Sequence, residues 1–123
     1  MRVTGQDHIV LTVADAERSL AFYAGLLGLA PERLEEWRAG DAPFVSVRVD
    51  ATTVIDLQEG ERTGVNVDHV ALVVEDVDLD ELAASGDFKV VRRSGRLWGA
   101  QGYGHGMYVA DPDGNVVELR TYG

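Results

Sequence analysis

The sequence predicts an α+β fold made of two tandem βαβββ modules, and three observations lead there. The chain has 123 residues, 46% of them apolar and 26% charged, which is the size and composition of one folded domain. It repeats itself: Asp7–Asp15 (DHIVLTVAD) lies 61 residues before Asp68–Asp76 (DHVALVVED), with Asp, His, Leu, Val and Asp identical in order. A second pair stands 62 residues apart, Val54-Ile55-Asp56-Leu57 and Val116-Val117-Glu118-Leu119, each a carboxylate set between apolar neighbours. Each half opens on a strand with a His and closes on a strand with a carboxylate. This gives a first module over residues 1–60 and a second over 67–123, within a single domain of residues 1–123.

The local patterns supply the elements. His8 to Val13 is a β-rich run, and Asp15 then caps a helix in which Leu20, Tyr23 and Leu27 recur at helical spacing until Gly28 stops it. Strands are expected at about Leu34–Arg38, Phe44–Val49 and Thr53–Gln58. The middle one alternates Val45, Val47 and Val49 with Phe44, Ser46 and Arg48. In the second half, His69–Val74 reads as a strand and Leu79–Ala84 as a short helix with an Asp-rich start and Gly86 as its stop. Strands at about Phe88–Arg93, Gly106–Val109 and Val116–Thr121 follow. Asp111-Pro112-Asp113-Gly114 is the turn between the last two. The glycines of Gly99 to Gly106 lack the Lys and following helix of a phosphate loop, and read as a flap or a long turn.

Charge and cysteine content exclude several function classes. Eleven Lys plus Arg against 21 Asp plus Glu give a net charge of −10, which repels nucleic acid and anionic membranes. With no Cys, the chain has neither disulfides nor a thiolate nucleophile, and any metal must be held by His and carboxylate groups. Met1–Asp7 has no apolar leader segment and no stretch is long enough to span a membrane, so a soluble cytoplasmic chain is expected.

Alternation across strands then selects the candidate site. Ile9, Leu11 and Val13 share one face and should pack on the helix, leaving His8 on the other. The same logic places His69 opposite its helix, Asp56 opposite Ile55 and Leu57, and Glu118 opposite Val117 and Leu119. Two imidazoles and two carboxylates without sulfur suit Zn, Mn, Fe(II), Co or Ni. The competing reading makes the Asp-His pairs polar strand starts at a sheet edge.

DHIVLTVAD followed by SLAFYAGLLGL, then DHVALVVED, then DPDGNVVEL together resemble the vicinal oxygen chelate superfamily. This group includes glyoxalase I, fosfomycin-resistance proteins, extradiol dioxygenases, methylmalonyl-CoA epimerase and bleomycin-resistance proteins. The resemblance covers nearly the whole chain. It implies two βαβββ modules forming a cup-shaped mixed sheet, with a divalent metal ion on His8, Asp56, His69 and Glu118. It also implies a small oxygen-rich substrate chelated through adjacent oxygens, and a homodimer whose sites can be shared between chains. In glyoxalase-like lyase or isomerase chemistry, Glu118 is the candidate base and Asp56 its partner. In ring-cleaving dioxygenase chemistry, an oxidoreductase reaction, Fe(II) sits on His8, His69 and Glu118.

Departures narrow the resemblance. Glutathione-dependent glyoxalase I has an Arg four residues after its first ligand and an Asn four after its second. Thr12 and Gly60 stand at those places here, so both contacts to the thiol tripeptide are missing. Val10 and the Gly-rich Ala100–Gly106 replace the Thr and the Ser-rich loop of the fosfomycin branch. The alternative function is a metal-free, bleomycin-resistance-like binder that sequesters a cationic or aromatic molecule, with the acidic charge, Trp37 and Trp98 in its favour. His105 reads as a solvated loop His with the option of acid–base work. Arg92-Arg93-Ser94-Gly95-Arg96 reads either as a grip for a substrate carboxylate or as a solvated hairpin. Tyr103, Met107 and Tyr108 read as core or interface.

Overall fold

The computed structural model describes residues 1–26, 28–110 and 114–123. The expected positions Leu27 and Asp111-Pro112-Asp113 lie outside the described residues. In chain order the elements are β1 (Arg2–Val13), α1 (Ala16–Leu20) continued by a π-helical turn (Ala21–Leu26), β2 (Ala30–Glu32), α2 (Leu34–Arg38), β3 (Val45–Asp50), β4 (Thr53–Glu59), β5 (Val67–Glu75), α3 (Leu79–Ala84), β6 (Lys89–Gly99), β7 (Gly102–Ala110) and β8 (Val116–Thr121). The class is mixed α+β, and none of the described helices is long and apolar enough to cross a membrane.

The chain forms two compact units. One comprises residues 9–68 and the other joins residues 1–8 to residues 69–123. Strand β1 runs through both, so the first His of the sequence is delivered to the unit that holds the second half.

In the unit of residues 9–68, β2, β3 and β4 form an antiparallel meander, with Ala30 opposite Arg48 and Val47 opposite Ile55. Asp15 caps α1 by accepting from the Arg18 N–H at 3.2 Å, and Gly28, at φ 77°, ends the helical stretch. Ala16, Leu20, Val45, Val47 and Leu57 are the buried core, with Val13, Ile55 and Trp37 packed against it.

In the other unit the strand order is β5-β8-β7-β6. The β5/β8 pair is parallel and the rest are antiparallel. One face is apolar: Val74, Leu79, Met107, Val109 and Leu119 are buried together, with Leu72, Leu82, Phe88, Val90 and Val117 around them. Side chains one residue out of phase, including Glu118 and Ala71, stand on the opposite face. Helix α3 docks on the apolar face through Leu79, and its N-cap Asp78 accepts from the N–H groups of Asp80 (2.9 Å) and Glu81 (3.0 Å). Asp78→Ala leaves those donors bare and is expected to lower stability by about 1 kcal/mol, read from the urea midpoint.

Three expectations are corrected. Leu34–Arg38 is a one-turn helix, not a strand. Arg33 enters it at φ 60°, and Leu, Glu, Glu and Arg all favour helix, so local propensity wins over the single apolar alternation. The Gly99–Gly106 segment is neither flap nor long turn: β6 runs to Gly99, β7 starts at Gly102, and the two pair in register across it. The Arg92–Arg96 run accordingly lies within β6, with register shifts between Val90 and Arg92 and between Arg92 and Gly95. His105 sits in β7 as an exposed residue opposite Arg96 and Thr121, not in a loop.

Candidate metal centre

His8, on β1, and His69, on β5, meet Glu118, on β8, in the unit of residues 1–8 and 69–123. All three are buried, at 3%, 8% and 1% exposure. The parallel β5/β8 register puts Ala71 beside Glu118, so His69, two residues earlier on the same face, lies within reach. The three inward atoms form a triangle of equal edges. His8 Nε2 and His69 Nε2 are 3.1 Å apart, and each is 3.1 Å from Glu118 Oε2. One chain supplies all three.

Asp7 fixes the His8 ring. Its Oδ2 lies 2.7 Å from His8 Nδ1 and also accepts from the Ala100 N–H at 2.9 Å, while its Oδ1 accepts from the Tyr122 hydroxyl. Burial pushes the Asp7 carboxyl up, but the bonds from His8, Ala100 and Tyr122 and the charge of Arg120 outweigh it and hold the pKa below the ordinary value. An ionised Asp7 can only accept, so Nδ1 keeps a proton, and it is Nε2 that can give up its proton and turn a lone pair to a cation in the triangle. Burial and the bond to Asp7 raise the Tyr122 phenol, keeping it a donor.

Arg120 does the corresponding work for Glu118. It is fully buried, its Nη1 donates to Glu118 Oε1 at 2.9 Å, and its two terminal nitrogens donate to the carbonyls of Trp98 (3.3 Å) and Leu97 (3.0 Å). The guanidinium stacks 4.7 Å over the Tyr122 ring, with Nε 3.7 Å from Asp7 Oδ1. One oxygen of Glu118 is therefore held by Arg120 and the other turned to the two imidazoles. Burial pushes Glu118 up, yet the hydrogen bonds from His69 and His8 and the charges of His8 and Arg120 bring it down to about 2.

Glycine makes the space for this cation. A Cβ at Gly99 would lie 2.4 Å from Arg120 Cζ, one at Gly104 would lie 2.4 Å from the Thr121 carbonyl, and one at Gly106 would lie 2.7 Å from Glu118 Oε1. Gly99 and Gly104 make room for Arg120 and Tyr122, and Gly106 makes room for the Glu118 carboxylate.

The donor set fits a divalent cation. Two imidazole nitrogens and one carboxylate oxygen, 3.1 Å apart, match a centre roughly 2.1 Å from each at about right angles. Charge fits as well, since Asp7 and Glu118 against Arg120 leave one negative charge that a divalent ion converts to one positive. Among the four sequence-predicted residues, His8, His69 and Glu118 are brought together. Asp56 is buried in the unit of residues 9–68, where it accepts a 2.5 Å hydrogen bond from Ser46. Asp7, Arg120 and Tyr122 escaped the sequence reading. The signal for Asp7 was its repetition with His in both halves, and the signal for Arg120 was glycine at 99 and 104, the two positions that face it.

Residues 5–119 match the Glyoxalase/Bleomycin resistance protein/Dioxygenase superfamily. The chain belongs to this superfamily. It is 31% identical over 126 residues to a probable lactoylglutathione lyase from Synechocystis sp., covering 91% of each sequence. It is similar to the structure of a Mn(II)-bound glyoxalase from Novosphingobium aromaticivorans, at 27% identity and a TM-score of 0.64 over 98% of this chain and 39% of that one. A methylmalonyl-CoA epimerase from Streptomyces coelicolor, 21% identical, shares the fold with a TM-score of 0.67 over 99% of both chains. Members of one superfamily differ in chemistry, so the site carries the functional argument.

Proposed function

We propose that this chain is a divalent-metal-dependent, glyoxalase-like lyase or isomerase, acting on a small molecule that presents adjacent oxygens. The observation that carries the proposal is the buried triangle of His8 Nε2, His69 Nε2 and Glu118 Oε2, backed by a carboxylate on one imidazole and an arginine on the carboxylate. The names of the Synechocystis and Novosphingobium proteins support it. Thr12 and Gly60, standing where tripeptide contacts are expected, favour a substrate other than a glutathione adduct.

When bound, the cation supplies Lewis acidity toward a carbonyl and its neighbouring oxygen. His8 and His69 orient it, with Asp7 holding the first ring. Glu118 enters as a ligand, with Arg120 holding its other oxygen. Tyr108 lies beside it: burial, followed by the charge of Glu118, pushes its phenol up to about 12, so it stays a hydrogen-bond donor.

Metal content by plasma mass spectrometry, before and after chelation, is the first test. We expect about one Ni, Co, Zn, Mn or Fe(II) per chain, and turnover of an α-oxo aldehyde that disappears with the metal. No uptake of any of the five ions would overturn the proposal in favour of metal-free binding. The homodimer proposed with it is checked by light scattering, where a mass of 13.3 kDa would remove it.

A further inference from the structure

The site has one cationic neighbour that the proposed chemistry does not use. From Phe88 to Ala110 the chain has no Asp or Glu, while Lys89, Arg92, Arg93 and Arg96 fall within this stretch of a protein carrying a net charge of −10. The stretch is the β6–β7 hairpin, so an otherwise acidic surface has a positive edge there.

Register ties that edge to the triangle. Arg92 stands opposite Tyr108, Tyr108 opposite Glu118, and Glu118 beside Ala71, in one row on one face. The Arg92 guanidinium carbon is 5.9 Å from the Tyr108 ring centre, and that ring meets His69 edge-to-face at 5.0 Å. Two strand spacings put the Arg92 backbone roughly 10 Å from that of Glu118. Arg96 is different: it stands opposite His105, one residue out of phase with the row, and lies 3.8 Å over Tyr103. Arg92 is exposed, and among the described residues it pairs with no carboxylate.

We infer that Arg92 anchors a carboxylate carried by the substrate, at the end of the row away from the metal triangle. The inference rests on the proposed function and adds the substrate class: an acid whose carboxylate lies several bonds from its chelating oxygens, with Tyr108 as the flat wall between. The planar guanidinium matches a planar carboxylate bidentately, which a lysine would not. The metal-loaded centre, with its surplus positive charge, also favours an anion.

The test uses two chelating probes on metal-loaded protein, catechol and 3-(3,4-dihydroxyphenyl)propionate, which share the adjacent oxygens and differ in the carboxylate tail. Calorimetry should give the tailed probe an advantage of about tenfold or more in wild type. Arg92→Ala should reduce that advantage to about twofold or less while the Kd of catechol stays put. Arg92→Lys should recover part of it, and Arg96→Ala should leave it intact. Equal affinities in wild type, or an advantage that survives Arg92→Ala, would overturn the inference. Failure of catechol to bind is failure of the metal reading and is read separately. For that case 3-phenylpropionate, which has the carboxylate but no chelating pair, is titrated by NMR against the same variants. Shifts lost in Arg92→Ala support the anchor, and shifts unchanged or absent in wild type remove it.

Discussion

Arg120→Met is expected to destabilise the metal-free protein by about 3–5 kcal/mol, the range for removing one partner of a buried ion pair. Methionine fills much of the volume, so the loss is electrostatic. Glu118 Oε1 loses its 2.9 Å donor and Asp7 loses the nearby cation, leaving two carboxylates buried at 1% and 0% exposure with less compensation. Arg120→Lys keeps the charge but cannot reach Glu118 and the Leu97 and Trp98 carbonyls together, and should fall between the two. Urea unfolding in the presence of chelator reads both. A loss under about 1 kcal/mol for Arg120→Met would show that the buried cation is not what holds this face together.

The acid limb of the same experiment has a definite sign. Glu118 titrates at about 2 in the folded chain against an ordinary 4.5, a depressed value. Its contribution is present in full above 4.5 and is lost as pH falls from there toward 2. Asp7, also depressed, adds to the loss in the same direction. Arg120→Met raises both folded-state values toward the ordinary ones, so the variant should lose less stability than wild type on acidification.

The contrast between what was legible and what was not follows from range. His8, His69 and Glu118 could be read because a repeat and a two-residue period are local properties, and each put its polar residue opposite the apolar one. Asp7 repeats with His in both halves, but its role could not be read, because alternation sends it away from His8, whereas its carboxylate meets the His8 ring, the Ala100 N–H and the Tyr122 hydroxyl. These partners are 93 and 115 residues distant in sequence, beyond any local pattern. Arg120 has no local signal either, since Asp7 and the Leu97 and Trp98 carbonyls that it meets are far from it in sequence. Gly102, Gly104 and Gly106 recur at strand period, a signal for β7 that their turn-forming reputation masked. Their reasons differ: Gly102 takes φ 91° at the hairpin, Gly104 clears Tyr122 and Arg120, and Gly106 clears Glu118 and Leu97. Leu34–Arg38 misled for the opposite reason, since a five-residue segment satisfies a strand pattern and a helix propensity equally well.

His69→Ala should lower metal affinity by at least about tenfold, since tenfold to a hundredfold is what loss of a residue merely orienting a ligand costs, and His69 is itself a ligand. It removes one corner of a triangle of 3.1 Å edges and leaves His8 and Glu118 to bind with two donors. Asp7→Asn makes the graded comparison: the ligand atoms remain, the His8 ring loses its ionised acceptor, and the drop should be smaller than for His69→Ala. Competition with a chromophoric chelator measures both, and metal-free unfolding midpoints separate lost ligation from lost fold. Linkage gives an independent readout, because metal at a hundred times its Kd adds about 2.7 kcal/mol to stability. Wild type should show that gain and His69→Ala should not at the same metal concentration. If His69→Ala binds metal as wild type does, the triangle is a hydrogen-bonded knot in the fold and the metal lies elsewhere. If Asp7→Asn matches wild type while His69→Ala fails, the ligands stand and the carboxylate behind His8 is serving the hairpin end at Ala100 instead of the metal.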